Sequence, residues 1–124
     1  VKAGLHRAKA TLKFDDAGTR GSVLTATGAT TVSVVGLDEV LNGERVTYVK
    51  LNIEGAEIDA LEGGAASIRR WAPKLAIAAY HVPDHLWRVP ATIRGLRPDY
   101  RIYFRQHDGG IIETVTYALS SKAT

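Results

Sequence analysis

Cysteine is absent from the 124 residues of this chain, so disulfide bonds, thiolate metal sites and a cysteine nucleophile are excluded. No apolar run approaches the roughly 20 residues of a membrane-spanning helix, and the first residues lack the pattern of a signal peptide. We therefore expect a cytoplasmic protein without a membrane partner. The formal net charge is only +3, and no basic block with interleaved aromatic residues is present, so nucleic-acid binding has no support.

The remaining composition is that of an ordinary folded domain. Hydrophobic residues make up 45% and charged residues 23% of the chain, without the signature of a disordered protein. A length of 124 residues corresponds to one domain at most, large enough for a single hydrophobic core. Neither an internal repeat nor a low-complexity linker is visible.

Six segments have the composition or the alternation of β-strands. They are residues 8–14, Thr30–Val35, residues 45–53, residues 74–80, Tyr100–Gln106 and residues 111–119. Residues 15–28 are rich in turn-forming side chains. Residues 74–80 are nearly all apolar, which is typical of an inner strand of a parallel sheet covered on both faces. The pair Asp108-Gly109 predicts a hairpin between the last two strands.

Three segments predict helices, namely Leu37–Leu41, residues 56–70 and residues 84–96. Asp38 is expected to begin the first helix and Asn42-Gly43 to end it. Gly63-Gly64 interrupts the second helix, and because each glycine costs about 1 kcal/mol inside a helix, we expect a kink or close packing there. Pro90 lies within the third segment, which is either two short helices or one kinked helix.

A short apolar strand brings polar side chains to the turn that follows it. Lys50, Asn52 and Glu54 alternate along this strand and should share one face. Gly55 permits a sharp turn, and Glu57 stands in the first turn of the next helix, where an acidic group favours the helix dipole. Two interpretations are open: a functional site of an α/β fold, or solvated residues at a strand edge followed by an acidic helix start.

Three consecutive motifs give the chain a family resemblance. They are Lys50-Leu-Asn-Ile-Glu-Gly-Ala-Glu57, Leu61-Glu-Gly63 and Pro73-Lys-Leu-Ala-Ile77. In this order and spacing, they resemble the second half of FkbM-type methyltransferases, which use S-adenosylmethionine. The resemblance continues through Tyr80-His81, Pro98-Asp-Tyr100 and Glu113-Thr-Val-Thr-Tyr-Ala118, so that it covers most of the chain. Asn52 stands where the family usually has aspartate.

The resemblance implies an α/β fold, namely a partial Rossmann-like class I methyltransferase sheet with parallel strands, helical crossovers and a closing antiparallel hairpin. Residues 1–124 would be the carboxyl-terminal portion of a single domain, starting at about the family's third strand. The family's earlier glycine-rich turn and ribose-binding acid have no counterpart here, since Gly18-Thr-Arg-Gly21 and Gly109-Gly110 neither follow a hydrophobic strand nor open a helix. S-adenosylmethionine is therefore implied for the complete protein, and no cofactor-binding residue is assigned in this chain.

The activity that the resemblance implies is methyl transfer to a hydroxyl oxygen of a small molecule, such as a sugar or another natural product. A hydroxyl of high pKa needs a base within hydrogen-bonding reach. His81, at the carboxyl end of a strand, is the candidate base, with Glu54 or Glu57 as its orienting partner or as an alternative base. The other interpretation of His81 is a packed strand-end histidine bonded to a backbone carbonyl.

Asn52 is the third member of the predicted catalytic set, beside Glu54 and His81. An amide carries no charge and takes no proton, so Asn52 can replace the family's aspartate in positioning a hydroxyl but not as a base. The predicted substrate-binding residues are Lys50, Glu57 and Trp87. Trp87 either packs against the fold or lines a pocket for the acceptor.

A bound metal is not expected. His81 and His85 are four residues apart, but Val82-Pro83 between them argues against one continuous helix. The side chains available to a metal would be those of Glu54, His81 and Asp84. The remaining histidines, His6 and His107, lie in loop-like settings and are expected to be exposed.

A second class of function is also open, namely a non-catalytic interaction or oligomerisation domain derived from half of a methyltransferase. An uncovered inner strand presents unpaired backbone groups to another chain. A homo-oligomer would then be expected.

Overall fold

A computed structural model describes residues 1–15, 23–110 and 112–121, which contain eight strands and four helices. The strands are β1 (Gly4–Leu5), β2 (Ala10–Asp15), β3 (Val23–Thr25), β4 (Thr30–Val35), β5 (Tyr48–Leu51), β6 (Lys74–Ala78), β7 (Tyr100–Gln106) and β8 (Thr114–Ser120). The helices are α1 (Leu37–Leu41), α2 (Glu57–Gly63), α3 (Ala65–Trp71) and α4 (His85–Leu96). Strands and helices follow one another through most of the chain, so the fold is a mixed α/β fold.

The second sheet carries the residues that the sequence singles out. Its strand order is β5-β6-β8-β7. Strands β5 and β6 are adjacent and parallel, as predicted, with α2 and α3 between them in the chain. Strand β8 is antiparallel to both β6 and β7, so the closing hairpin is also confirmed. The sheet is therefore mixed, since the expected parallel arrangement holds for one pair of its strands.

The first sheet has the order β1-β4-β2-β3 and is likewise mixed. Strands β1 and β4 are parallel, whereas β2 is antiparallel to both of its neighbours. Within residues 15–28, which are rich in turn-forming side chains, Val23–Thr25 forms a short strand that the sequence does not predict and that pairs with the end of β2; residues 16–22 lie outside the described part of the chain. Short strands of this kind gain their order from pairing, which a local pattern does not reveal.

The hydrophobic core lies between one face of the second sheet and the helices. Val49 and Leu51 point into it from β5, and Leu75 and Ile77 from β6. The helices contribute Ile58, Leu61, Ile68, Val89 and Ile93. The core also buries Tyr100, whose hydroxyl donates a hydrogen bond of 2.6 Å to the carbonyl of Pro73. Burial raises the pKa of Tyr100 to about 12.

Two glycines allow close packing, Gly63 against the first segment of the chain and Gly64 against helix α1. A Cβ atom at Gly63 would collide with the carbonyl oxygen of His6, and one at Gly64 would lie 2.9 Å from the side chain of Leu37. The helix that was predicted over residues 56–70 is accordingly divided at Gly64 into α2 and α3. Close packing and a break thus occur together at the glycine pair.

Asp38 caps a different helix from the one expected. Helix α1 begins after Gly36 without a side-chain cap. The carboxylate of Asp38 instead accepts hydrogen bonds from the backbone N–H groups of Ala66, at 2.9 Å, and Ser67, at 2.8 Å. These are free donors in the first turn of α3, so Asp38 joins α1 to α3. Asn42 ends α1 in the left-handed conformation, as the sequence predicts.

Candidate active site

The turn after β5 holds two consecutive residues in the left-handed region of backbone space. Glu54 has φ 56° and Gly55 has φ 105°. For a residue with a side chain, such a conformation costs roughly 1–3 kcal/mol and persists only where the surroundings impose it. Strand β5 ends at Leu51, so the alternation expected for Glu54 does not extend to it. The turn therefore directs Glu54 away from the face that carries Lys50.

The side chain of Glu57 stabilises this turn through hydrogen bonds to its backbone. Its side chain is completely buried, although it stands at the start of α2. One carboxylate oxygen, Oε1, accepts a hydrogen bond of 2.9 Å from the N–H of Ile53, and Oε2 accepts one of 3.1 Å from the N–H of Gly55. Hydrogen bonds to a charged group contribute about 1.5–3 kcal/mol each, enough to offset the strain at Glu54.

Two buried histidines face the same carboxylate. His81 Nδ1 lies 2.7 Å from Oε1 of Glu57, and His85 Nδ1 lies 3.3 Å from Oε2. The two imidazole side chains are only 8% and 4% exposed, respectively. A buried carboxylate must be paired and hydrogen-bonded, because its desolvation is otherwise costly. The Glu57 carboxylate meets this requirement with two backbone amides and the imidazole of His81, and His85 lies beside Oε2 without a hydrogen bond.

Glu54 stands between His81 and the solvent. Its Oε2 lies 3.5 Å from Nε2 of His81, and its side chain is 31% exposed. Glu54 also lines a cleft of about 330 Å³ together with His6, Asp59 and Val82. A ligand in this cleft would meet the carboxylate of Glu54 before it reached the imidazole behind it.

Asn52 lies on the other side of the turn, where it contacts Tyr80. The hydroxyl of Tyr80 donates a hydrogen bond of 3.4 Å to Oδ1 of Asn52, and the Tyr80 ring lies 4.2 Å from the ring of His81. Burial, followed by the nearby carboxylate of Glu113, raises the pKa of Tyr80. The phenol therefore stays protonated and serves as a hydrogen-bond donor at neutral pH.

A second cleft, of about 310 Å³, opens beside Asn52 on the face of the sheet that the helices leave free. Its polar lining consists of Tyr48, Lys50, Asn52, Tyr80, His107, Glu113 and Tyr117. His107 Nε2 lies 2.9 Å from the hydroxyl of Tyr117. The β7–β8 hairpin brings His107, Glu113 and Tyr117 to the cleft. Their position depends on strand register, so no local sequence signal identifies them.

The predicted site residues thus fall into three places. Glu54, Glu57 and His81 form one cluster, and Lys50 and Asn52 line the second cleft. Trp87 belongs to neither. Its side chain is 62% exposed, and it lines a shallow groove with Leu86, Pro90 and Phe104. Lys50 and Asn52 therefore lie together, as predicted, but the prediction that Glu54 shares their face is wrong, because period-two alternation ends with the strand.

Two histidines lie in surroundings that the sequence does not predict. The sequence suggests no role for His85 beyond a metal pair that is not expected, yet His85 lies at the start of α4 against Glu57. His6 was expected to be exposed, but its side chain is 25% exposed and its Nε2 lies 3.5 Å from Oδ2 of Asp59. His107 is exposed, as predicted. The spacing of His81 and His85 was the available signal, since both are close in sequence to the end of β6.

Two further findings concern the described residues as a whole. No group of three or more His, Asp or Glu side chains within residues 1–15, 23–110 and 112–121 has the arrangement of a metal site. No helix in this part of the chain is long and apolar enough to cross a membrane.

Known proteins support one family. Residues 3–110 match the model of the methyltransferase FkbM domain. The chain belongs to the FkbM methyltransferase family. The fold of this FkbM domain is similar to the crystal structure of methyltransferase FkbM from Methylobacillus flagellatus KT, with a TM-score of 0.76 and 28% sequence identity. The match covers 94% of this chain and 27% of that chain, so the FkbM domain spans about a quarter of its relative's length. No curated protein sequence is significantly similar to it.

The FkbM domain does not offer a cradle for S-adenosylmethionine at its strand–glycine–helix junction. Strand β4 leads through Gly36 into α1. A Cβ atom at Gly36 would lie 3.3 Å from the carbonyl oxygens of both Arg7 and Gly63. In α/β folds that bind dinucleotides, a glycine at this junction leaves space for the cofactor. In this chain, backbone carbonyl groups fill that space. Gly18-Thr-Arg-Gly21 lies outside the described part of the chain.

Proposed function

We propose that this chain is the carboxyl-terminal, acceptor-activating portion of an S-adenosylmethionine-dependent O-methyltransferase. The acceptor would be a hydroxyl group of a sugar or another small natural product, and the enzyme would act in the cytoplasm. The observation that carries the proposal is the placement of His81 between Glu57, at 2.7 Å, and Glu54, at 3.5 Å. Membership of the FkbM family supports the reaction class.

The proposed chemistry of these residues is the removal of one proton. A hydroxyl in the cleft beside Glu54 meets its partly exposed carboxylate, and Nε2 of His81 lies directly behind it. The O–H bond of the acceptor breaks, and its proton passes to Glu54 and on to His81 Nε2, while the oxygen keeps the electron pair. Glu57 and Glu54 then flank an imidazolium cation, which both carboxylates stabilise.

S-adenosylmethionine would supply the methyl group, bound by parts of the complete protein beyond this chain. Two findings support this division: the backbone fills the space beside Gly36, and the chain covers 27% of the Methylobacillus protein. No metal is needed, because the chemistry asks only for a base and an oriented hydroxyl.

Substrate binding is proposed for the residues of the second cleft. Lys50 and Asn52 line it, and the neutral amide of Asn52 can position a hydroxyl without taking its proton. Glu57 is buried with both oxygens occupied, so we assign it a supporting role in place of direct substrate contact. Trp87 would bind a substrate only where the ligand extends to its separate groove.

The test is methyl transfer by the complete protein to a panel of hydroxylated acceptors. Glu54→Gln and His81→Ala should each lower kcat by about 100-fold to 10,000-fold, as expected for loss of a general base. The matched control is Glu62→Gln, which removes an exposed carboxylate paired with Arg7 and should change kcat little. Undiminished turnover in both Glu54→Gln and His81→Ala would contradict the proposal.

A second candidate function, self-association, is favoured by the free face of the second sheet. Tyr48 and Tyr103 are 54% and 46% exposed, and strand register places both on the face that the helices do not cover. Light scattering during size-exclusion chromatography would measure the mass of the chain. A homo-oligomer that dissociates in Tyr48→Ser/Tyr103→Ser, but not in Phe104→Ser, would support this function; Phe104 is a comparably exposed aromatic next to Tyr103. A monomer would exclude it.

A further inference from the structure

We propose that Glu57 is a positioning residue that holds the Nδ1–H tautomer of His81, so that Nε2 is the atom that accepts the proton. This inference rests on the proposed function, in which His81 receives a proton from Glu54. It concerns the resting state of one imidazole, however, and that state can be measured without methyl transfer.

The four contacts of Glu57 are divided between its two carboxylate oxygens. Oε1 accepts the N–H of Ile53 and faces Nδ1 of His81, whereas Oε2 accepts the N–H of Gly55 and faces Nδ1 of His85. An ionised carboxylate has about four lone-pair positions, all of them acceptors. Oε1 is therefore matched with one backbone donor and the imidazole of His81, whereas Oε2 has one backbone donor and the ring of His85 beside it.

The separation between His81 and Glu57 determines where the imidazole proton lies. At 2.7 Å, Nδ1 and Oε1 are at the distance of a short, charge-assisted hydrogen bond. The carboxylate can only accept, so Nδ1 must carry the hydrogen. In a neutral imidazole the other nitrogen then holds the lone pair. Glu57 thus selects one of the two tautomers of His81.

The lone pair on Nε2 has no competing use within the described residues. Nε2 of His81 is buried and has no hydrogen-bond partner there. The nearest acidic group is Glu54, whose Oε2 lies 3.5 Å away. A proton that arrives at Glu54 can therefore move to Nε2, where it converts an unpaired buried nitrogen into a donor between two carboxylates.

His85 is a weaker second support for the same carboxylate. It is 3% exposed, and its Nδ1 lies 3.3 Å from Oε2 of Glu57 without a hydrogen bond of good geometry. We expect His85 to limit rotation of the carboxylate, because its ring lies beside Oε2. Because His81 and His85 contact different oxygens, loss of His85 should leave the bond to His81 in place.

Glu57 also determines the position of Glu54, the partner of His81 on the solvent side. The N–H groups of Ile53 and Gly55 flank Glu54 in the chain, and both are bound by Glu57. The left-handed conformation of Glu54, with φ 56°, therefore depends on the carboxylate that orients His81. One buried side chain sets the geometry of both groups in the proposed proton path.

The direct test is the tautomer of His81 in the 124-residue chain, read from long-range ¹H–¹⁵N correlation spectra of the histidine side chains. The pH is raised until the imidazoles are neutral. The His81 signals are identified by their loss in His81→Ala, and the chain has only 4 histidines to separate. We expect His81 to carry its proton on Nδ1, with Nε2 unprotonated. A His81 that is protonated on Nε2 would overturn the proposal.

Two variants separate the tautomer from simple structural support. In Glu57→Ala, His81 should lose the exclusive Nδ1–H form and populate both tautomers. Alanine is preferred to glutamine, because an amide can turn either its oxygen or its NH₂ group towards His81. In His85→Phe, which retains a ring at this position, His81 should keep the Nδ1–H form. Where Glu57→Ala does not fold, the spectrum of the unmodified chain and that of His85→Phe still decide the proposal.

The outcome is distinct from that of the methyl-transfer assay. An Nδ1–H tautomer combined with full activity of His81→Ala would remove the proposed function and leave the role of Glu57 in orienting His81 intact. An Nε2–H tautomer combined with an inactive His81→Ala enzyme would overturn the role of Glu57 and leave His81 as the base.

Discussion

Gly55→Ala should weaken both the fold and the site, because the turn that carries Glu54 depends on a backbone that alanine adopts poorly. Gly55 has φ 105°, and for a residue with a side chain such a conformation costs roughly 1–3 kcal/mol. The new Cβ atom would also lie 3.3 Å from Cγ2 of Val82, so either Val82 or the turn must shift by a few tenths of an ångström.

The size of the effect follows from the length of the chain. An unfolding entropy of about 2.1 cal/mol/K per residue means that each kcal/mol lowers Tm by about 4 °C in a chain of 124 residues. We therefore expect Gly55→Ala to lower Tm by roughly 4–12 °C. In the complete protein, the proposed methyl transfer should also slow, because a shifted turn moves Glu54 away from His81.

Gly43→Ala is the matched control for this prediction. Gly43 also has a positive φ, 85°, but no atom lies within 4 Å of the position of its new Cβ. Thermal unfolding followed by circular dichroism should show a smaller loss for Gly43→Ala, and methyl transfer should be unchanged. If Gly55→Ala were as stable as the parent chain, or if the two variants lost activity equally, the reasoning about the turn would be refuted.

Three other outcomes are expected. Asp38→Ala should lower the free energy of unfolding by about 0.5–2 kcal/mol in urea titrations, the usual effect of losing a helix cap, because two N–H groups of α3 lose their acceptor; an unchanged midpoint would show that water replaces the cap. Tyr100 has a pKa raised to about 12, so its contribution to stability is complete below the ordinary pKa of about 10 and is lost as the pH rises towards 12; the decline should be smaller in Tyr100→Phe, and identical pH profiles would contradict this. The 124-residue chain should bind S-adenosylmethionine weakly or not at all in titration calorimetry, and clear micromolar binding would mean that the chain contains a cofactor site of its own.

Much of the fold follows from local sequence patterns. Strand β4 and strand β7 have the predicted bounds, and so does helix α1. The parallel pairing of β5 and β6 was also predictable, because two apolar strands joined by a helical segment favour that arrangement. The predicted ends of strands and helices were less accurate where tertiary contacts decide them. An example is the glycine pair that divides α2 from α3.

The sequence predicted which residues form the candidate site better than it predicted how they are arranged. The motif around Asn52 and the end of β6 identified Glu54, Glu57 and His81 as neighbours, because parallel strands end at the same edge of a sheet. The burial of Glu57 was not predictable, since an acidic residue at a helix start is usually exposed. Its inward direction is set by two backbone N–H groups of the preceding turn.

What the sequence determined by itself is therefore the family, the order of strands and helices, and the chemical identity of the groups at the end of β5 and β6, because these depend on residue type and on local periodicity. The tertiary structure decided which groups meet. It turned Glu54 away from Lys50, placed His81 and His85 on one buried carboxylate, and moved the capping role of Asp38 to α3. Each of these contacts joins residues of different segments, and the packing of several strands and helices brings them together. No single stretch of the chain therefore determines the distance between them.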